Sequence, residues 1–243
     1  MKRAVFTLLF LTYSAIVFAQ KLRIAVAANA QFVAKELETS FRKESGLEAE
    51  MVIGSSGKFT AQIKAGAPFD VFLSADTQYP DALYKSGLTL RKPKIYAYGK
   101  LVLWSEKKHM SLDKLASGLR GKIALGNPKT APYGVAAISA LKKSGVYSKI
   151  SGRIVYGESI AQVTQYMLAG AVSEAFTAKS VVLEPALKSK GFWTEIDPAL
   201  YAPIAQSAVV LKTTKNREAA EKFHAFLYSE KGRALFRKYG YGL

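Results

Sequence analysis

Four short segments of the chain combine small residues, hydroxyls and amides in a way that suits an anion. They are Ala28-Asn29-Ala30, Gly54-Ser55-Ser56-Gly57, Asn127-Pro128-Lys129-Thr130-Ala131-Pro132-Tyr133-Gly134 and Gly157-Glu158-Ser159-Ile160. Each follows an apolar run and precedes an amphipathic one, so each reads as a strand-to-helix turn. The first N–H groups of a helix lack an intrahelical acceptor and sit at the positive end of its dipole. Four such turns, brought together, would offer N–H and O–H donors without formal charge, which is chemistry for holding a small oxyanion. Each segment also has a plainer use. Asn29 and Ser159 can cap helices, the Gly-Ser-Ser-Gly run can be a flexible turn, and the prolines around Lys129 can stiffen a loop. What favours the binding reading is that all four occupy the same place in a strand–helix unit.

Catalytic chemistry finds less support. Gly54 to Lys58 has the look of a phosphate-binding loop, but a Walker loop needs four residues between its glycines and Ser or Thr after its Lys. Here two residues intervene and Phe59 follows Lys58. No Gly-x-Ser-x-Gly occurs, so there is no nucleophile elbow. His109 lies in a Lys-rich turn and His224 on an amphipathic stretch, where solvation or packing explains both. Asp70 and Asp76 flank a strand with no His or third carboxylate at a spacing useful for a metal. We therefore expect no enzyme, no catalytic residue, no cofactor and no direct protein–metal ligand.

The elements that must position these turns alternate along the chain. Leu22 to Ala28 is strand-like. Gln31 to Ser45 has helical spacing, with Phe32, Val33, Leu37 and Phe41 on one face. Glu50 to Ile53 is a strand, Lys58 to Ala65 a helix, Asp70 to Ser74 a buried strand, and Asp76 a cap for a helix through Lys85. This order argues for parallel strands covered by helices. The centre repeats it, with strands at Lys122 to Leu125, Ile154 to Tyr156, Ala175 to Thr177 and Trp193 to Ile196. Helices alternate with them at Leu112 to Ser117, Tyr133 to Ser144, Ile160 to Leu168 and Val181 to Ser189. Two helices, Asn216 to Tyr228 and Lys231 to Tyr239, end the chain. Tyr98 to Trp104 and Ile204 to Leu211 read as long strands without an obvious turn. They are the expected crossings between two domains, one inserted in the other.

Composition sets the outer limits. The chain has 243 residues, 49% hydrophobic and 12% aromatic, enough to bury a core. With no Cys, disulfides, thiolate metal sites and thiol nucleophiles drop out. Residues 1–19 read as a secretory signal: Lys2 and Arg3, a mainly apolar run from Ala4 to Val17, and small residues around Ala19 for cleavage. The absence of Cys at that point predicts a free periplasmic protein rather than a lipoprotein. Lys and Arg number 35 against 18 Asp and Glu, a formal charge of +17. Such a balance first suggests nucleic acid, an anionic surface or an anionic ligand. An exported chain whose basic residues come in ones and twos, with scattered aromatics, fits the small ligand better than a polyanion. We expect no nucleic-acid partner.

Six stretches go further: AVAANA (Ala25 to Ala30), GSSGK (Gly54 to Lys58), AGAPFDVFLSAD (Ala65 to Asp76), GNPKTAPYG (Gly126 to Gly134), YGESIAQ (Tyr156 to Gln162) and KYGY (Lys238 to Tyr241). In order and spacing the chain resembles the periplasmic molybdate-binding components of ABC transporters, the ModA type, over essentially its whole length beyond the leader. The resemblance implies an α/β, two-lobed periplasmic solute-binding fold (type II), with two mixed sheets flanked by helices and a ligand cleft between the lobes. Lobe 1 would span residues 20–98 plus 207–243, and lobe 2 residues 99–206. It implies dehydrated molybdate or tungstate held through its oxygens by Asn29, by Ser56, and by the backbone N–H groups of Tyr133 and Ile160. Ala28 stands beside Asn29 as a weaker donor, and Ser55 beside Ser56. Some members place a Tyr hydroxyl where this chain has Thr177, so either Thr177 reaches the ligand or the donor set lacks that member. The implied partner is an ABC permease in the inner membrane, served by a monomer that closes around its ligand. Other readings compatible with the same residues are a binding protein for another small oxyanion such as sulfate, and a non-catalytic polyanion-binding protein.

Overall fold

The computed structural model describes residues 21–117 and 121–243; the expected leader and its cleavage point after Ala19 lie outside them. Among the described residues ten strands are formed: β1 Leu22–Ala27, β2 Ala49–Gly54, β3 Val71–Leu73, β4 Lys94–Gly99, β5 Leu101–Ser105, β6 Ile123–Gly126, β7 Ile154–Gly157, β8 Glu174–Ala178, β9 Phe192–Glu195 and β10 Ile204–Val210. They assemble into two five-stranded sheets, one ordered β2-β1-β3-β10-β4 and the other β7-β6-β8-β5-β9. In each, one side is parallel (β2-β1-β3; β7-β6-β8) and the other antiparallel. The molecule is thus the expected pair of mixed sheets flanked by helices.

The parallel halves carry the strand–helix units whose turns attracted attention. Gln31–Ser45 follows β1 through a single 3-10 turn at Ala28–Ala30. Its apolar stripe buries Val33, Ala34, Leu37 and Phe41, and Phe41 meets Phe223 edge-to-face at 5.1 Å. The helix stops at Gly46, whose φ of 71° and N–H to the Arg42 carbonyl make a left-handed cap. Helices Ser56–Lys64, Pro132–Lys143 and Ile160–Leu168 follow β2, β6 and β7. The two closing helices, Arg217–Leu227 and Glu230–Lys238, pack on the first sheet, burying Phe223, Leu227 and Phe236 beside Ile24, Val26 and Leu73. Trp104, in β5 at the centre of the second lobe, is buried and donates its Nε1–H to the Lys190 carbonyl at 2.9 Å.

Three expectations about elements change. The single strand expected from Tyr98 to Trp104 is two strands in different sheets. They break at Lys100, whose carbonyl accepts from Lys179 N at 2.9 Å. The long strand at Ile204 belongs wholly to the first sheet, pairing Ile204 with Gly99 and Ala205 with Tyr98. The chain therefore returns between lobes earlier, through the irregular stretch from Ile196 to Pro203, because those first residues of β10 complete the edge of β4. The helix expected over Val181 to Ser189 ends at Val182, and a 3-10 turn at Pro185–Leu187 follows. Pro185 lacks the N–H that another turn would need.

Candidate oxyanion-binding cleft

Where the carboxyl ends of β1, β2, β6 and β7 face one another, helix N-termini from both lobes converge on a small cleft. Its walls are Ala27, Ala28, Asn29, Gly54, Ser55, Ser56, Ala75, Ala131, Pro132, Tyr133, Ser159 and Ile160. No charged side chain is among them. Six of the seven residues singled out from sequence therefore meet: Ala28, Asn29, Ser55, Ser56, Tyr133 and Ile160. Thr177 does not line the cleft. It is buried in β8 opposite Val102, and its hydroxyl has no hydrogen-bond partner.

Each helix start leaves donors aimed into this space. Ser55 is the N-cap of Ser56–Lys64, its Oγ accepting from Lys58 N at 3.3 Å. Ser56 Oγ accepts from Ala75 N at 3.0 Å, which anchors the oxygen and leaves its proton to give. Pro132 opens the next helix without an N–H, so Tyr133 supplies the first one. Ser159 caps Ile160–Leu168 through Gln162 N, placing the Ile160 N–H at the very start of that helix. The N–H groups of Ser56, Tyr133 and Ile160 have no backbone acceptor among the described contacts. This is an all-donor, uncharged arrangement at the positive ends of three helices.

The lip of the cleft is closed by contacts between lobes. Gly57 N donates to the Thr130 carbonyl at 3.0 Å. Tyr79 OH donates to the Lys129 carbonyl at 3.0 Å. Lys58 Nζ lies 3.3 Å from Glu158 Oε1, so this lysine, two residues after Ser56, is already paired. Gly57 allows the approach: a Cβ there would stand 2.9 Å from the Thr130 Cα.

Behind the cleft lies a buried polar network that sequence reading missed. Asn29 Nδ2 contacts Gln206 Oε1 at 2.8 Å and Tyr241 Oη at 2.9 Å. Tyr96 OH reaches Gln206 Oε1 at 2.9 Å and the Ser74 carbonyl at 3.1 Å. Gln206 Nε2 donates to Tyr133 Oη at 3.3 Å. Ser180, from the second lobe, donates to the Asn29 carbonyl at 2.7 Å. Burial pushes the Tyr96 and Tyr133 phenols well above the ordinary tyrosine range and Tyr241 to about 12, so all three stay neutral. Burial likewise raises Asp76, against the lowering effect of bonds from Ser74 OH and Tyr79 N. Of this network the sequence had marked Asn29, Tyr133 and, through the closing KYGY, Tyr241; nothing marked Tyr96 or Gln206 as their partners.

Among the described residues no group of three or more His, Cys, Asp or Glu is placed to hold a metal ion. No helix among them is long and apolar enough to cross a membrane.

Comparison with known proteins agrees with the architecture. The family described as bacterial extracellular solute-binding protein matches residues 22–242. The chain is 37% identical over 229 residues to the molybdate-binding protein ModA of Azotobacter vinelandii, covering 93% of this chain and 91% of that protein. It is 39% identical over 221 residues to ModA of Rhodobacter capsulatus, covering 89% and 86%. The solved periplasmic molybdate-binding protein of Azotobacter vinelandii superposes with a TM-score of 0.87 at 34% identity, over 92% of this chain and 99% of that one.

Proposed function

The chain belongs to the bacterial extracellular solute-binding proteins, and from that premise we propose that it binds molybdate, and tungstate with it, in the periplasm and delivers the anion to an ABC-type importer. The observation that carries this reading is the lining of the cleft. Neutral donors from both lobes meet there, and relatives that align over about nine-tenths of the chain are molybdate-binding proteins.

The chemistry follows from the donors. A tetrahedral oxyanion stripped of water needs several hydrogen bonds, and charge-assisted ones contribute about 1.5–3 kcal/mol each. Ser56 hydroxyl, the Tyr133 and Ile160 N–H groups and Asn29 are the donors we assign, with Ser55 and Ala28 beside them. Thr177 stands behind the site, outside this set. Sulfate is the smaller anion and is discriminated by fit, whereas tungstate, nearly the size of molybdate, is not. Protonated phosphate carries an O–H that a donor-only site leaves without an acceptor.

The lobes turn about Lys100 and the Ile196–Pro203 stretch, and ligand and lip contacts hold them shut. A permease in the inner membrane then reads the closed form of a monomer. No bond is made or broken. The leader ending at Ala19 directs export, and removing Lys2 and Arg3 leaves 33 basic residues against 18 acidic ones. That excess steers anions inward without touching the ligand.

Calorimetry with molybdate, tungstate, sulfate and phosphate tests the reading. Molybdate and tungstate are expected to bind at micromolar concentration or tighter, with little dependence on salt. Tight sulfate binding without molybdate binding would overturn the assignment. Affinity that collapses as salt rises would point to a polyanion site instead.

A further inference from the structure

Asn29 lines the cleft, and its amide carries an atom of the wrong kind there if it is assigned by its nearest contacts. Its Nδ2 spends both protons on Gln206 Oε1 and Tyr241 Oη. Its Oδ1 is left buried with no partner, a bare acceptor where an oxyanion needs a donor. Two more protons are awkward in the same arrangement. Tyr96 has one hydroxyl proton for two acceptors, Gln206 Oε1 and the Ser74 carbonyl. Tyr133 accepts from Gln206 Nε2, and its own buried proton has no acceptor among the described contacts.

Carboxamide nitrogen and oxygen are nearly the same size, so the sense of each amide is decided by where the protons go. Reversing both amides on the same heavy-atom positions resolves every conflict. Gln206 Nε2 gives one proton to Asn29 Oδ1 and the other to Tyr96 Oη. Tyr96 gives its proton to the Ser74 carbonyl, and Tyr133 gives its proton to Gln206 Oε1. Tyr241 donates to Asn29 Oδ1, while Ser180 keeps its bond to the Asn29 carbonyl. Every donor of the network except Asn29 Nδ2 then has an acceptor, as a buried network requires, and the Asn29 NH2 is left free for a ligand. Asn29 Nδ2 takes the place of the orphaned oxygen.

Building on the molybdate reading, we propose that Gln206 is a positioning residue that sets specificity by holding the Asn29 amide with its NH2 toward the bound oxyanion. It is fully buried in β10, beside the strand pair where the chain passes between lobes. It touches Asn29 from one lobe and Tyr133 from the other. Gly99 makes room for this, since a Cβ there would collide with Tyr133 Oη and Gln206 Nε2. With Asn29 held this way the cleft donates only. Reversed, its Oδ1 would accept the O–H of a protonated oxyanion, and discrimination against phosphate would weaken.

The first test needs no ligand. In 15N-labelled protein the Gln206 side-chain NH2 protons should show stronger nuclear Overhauser contacts to the Tyr96 ring than to the Tyr133 ring; the opposite ranking overturns the proposal. The second test follows the side-chain NH2 signals of the three asparagines during molybdate titration. The pair that disappears in Asn29→Ser should shift in the wild-type protein, and an unmoved Asn29 pair at saturation overturns the proposal. The third is a double-variant cycle by calorimetry. Gln206→Met should weaken molybdate binding at least tenfold in the wild-type background and less than threefold in the Asn29→Ser background. Equal losses in both backgrounds, or none, would mean that Gln206 does not act through Asn29. If wild-type protein fails to bind molybdate at all, the ligand reading falls, while the Overhauser ranking still decides the amide sense.

Discussion

Substituting Gly57 by alanine separates closure from folding. In the closed molecule a Cβ at position 57 would lie 2.8 Å from Tyr79 Oη and 2.9 Å from the Thr130 Cα. The tyrosine oxygen ends a side chain and can move aside. The Thr130 Cα is backbone of the opposite lobe, so relief requires the lobes to part. Parting them also breaks the Gly57 N–H bond to the Thr130 carbonyl, at 3.0 Å. Overpacking of this kind costs about 1–3 kcal/mol, and the lost hydrogen bond about 0.5–1.5 kcal/mol. Both penalties fall on the closed state alone. At about 1.4 kcal/mol per factor of ten, molybdate affinity should drop roughly tenfold to a thousandfold. Ligand-free stability should not drop, because alanine is favoured over glycine inside a helix by about 0.5–1 kcal/mol. Calorimetric titration and thermal melting of ligand-free Gly57→Ala make the comparison. Affinity within twofold of wild type would refute the closure argument. So would a ligand-free melting temperature that falls in step with affinity.

Three other substitutions probe the cleft and its surroundings. Ser56→Ala should lose roughly ten- to a hundredfold in molybdate affinity, the worth of one charge-assisted bond, with a modest fall in ligand-free melting temperature because the buried Ala75 N–H loses its acceptor; Ser56→Asp should be worse still for affinity. The Lys58–Glu158 pair at the lip is about half exposed on both sides, so Glu158→Ala should change affinity by less than about 1 kcal/mol, and a loss beyond tenfold would show the pair to be more than a surface contact. His224 is held below its ordinary value of 6.5, chiefly by burial and also by Arg91 and Lys94, against the raising effect of its bond to the Ala208 backbone and of Glu221. The unfolded chain therefore takes up the proton first as pH falls. Stability should be level above about pH 6.5 and decline below it until the folded-state value is passed. His224→Gln should flatten the fall in melting temperature between pH 7 and 5.5, and an unchanged slope would exonerate His224.

The parts of the fold that were legible in the sequence are those written locally. Gln31–Ser45 showed itself through Phe32, Val33, Leu37 and Phe41 at helical spacing. The four turns were visible because strand, small polar residues and helix follow one another within a dozen positions. The break at Lys100 was not visible, because β4 and β5 are both strand-like runs and one intervening lysine carries no turn signal. The earlier return at Pro203 was missed for a related reason: Ile204 looks like any other apolar residue until it pairs with Gly99. The network behind the cleft was beyond reach, since Asn29 contacts Gln206 and Tyr241 at separations of 177 and 212 residues, and no periodicity encodes such pairs. Thr177 was placed on the right strand, but the depth at which its hydroxyl sits depends on packing between β8 and β5.

The pairing of β10 with β3 and β4 also bears on the order in which the molecule can be assembled. All five strands of the second sheet come from one unbroken stretch, Leu101 to Glu195. That half can collapse on contacts available as soon as the stretch exists. The first sheet cannot. Its fourth strand, β10, arrives more than a hundred residues after β3, so its closure is a long-range event of the kind that slows folding. Until β10 arrives, β3 and β4 both present open edges, which favour pairing with other chains. Refolding from denaturant should then proceed in two phases, with Trp104 in the second lobe reporting the fast one and the burial of Phe236 and Tyr241 the slow one. Molybdate, which needs both halves, would accelerate neither phase and would stabilise only the finished product.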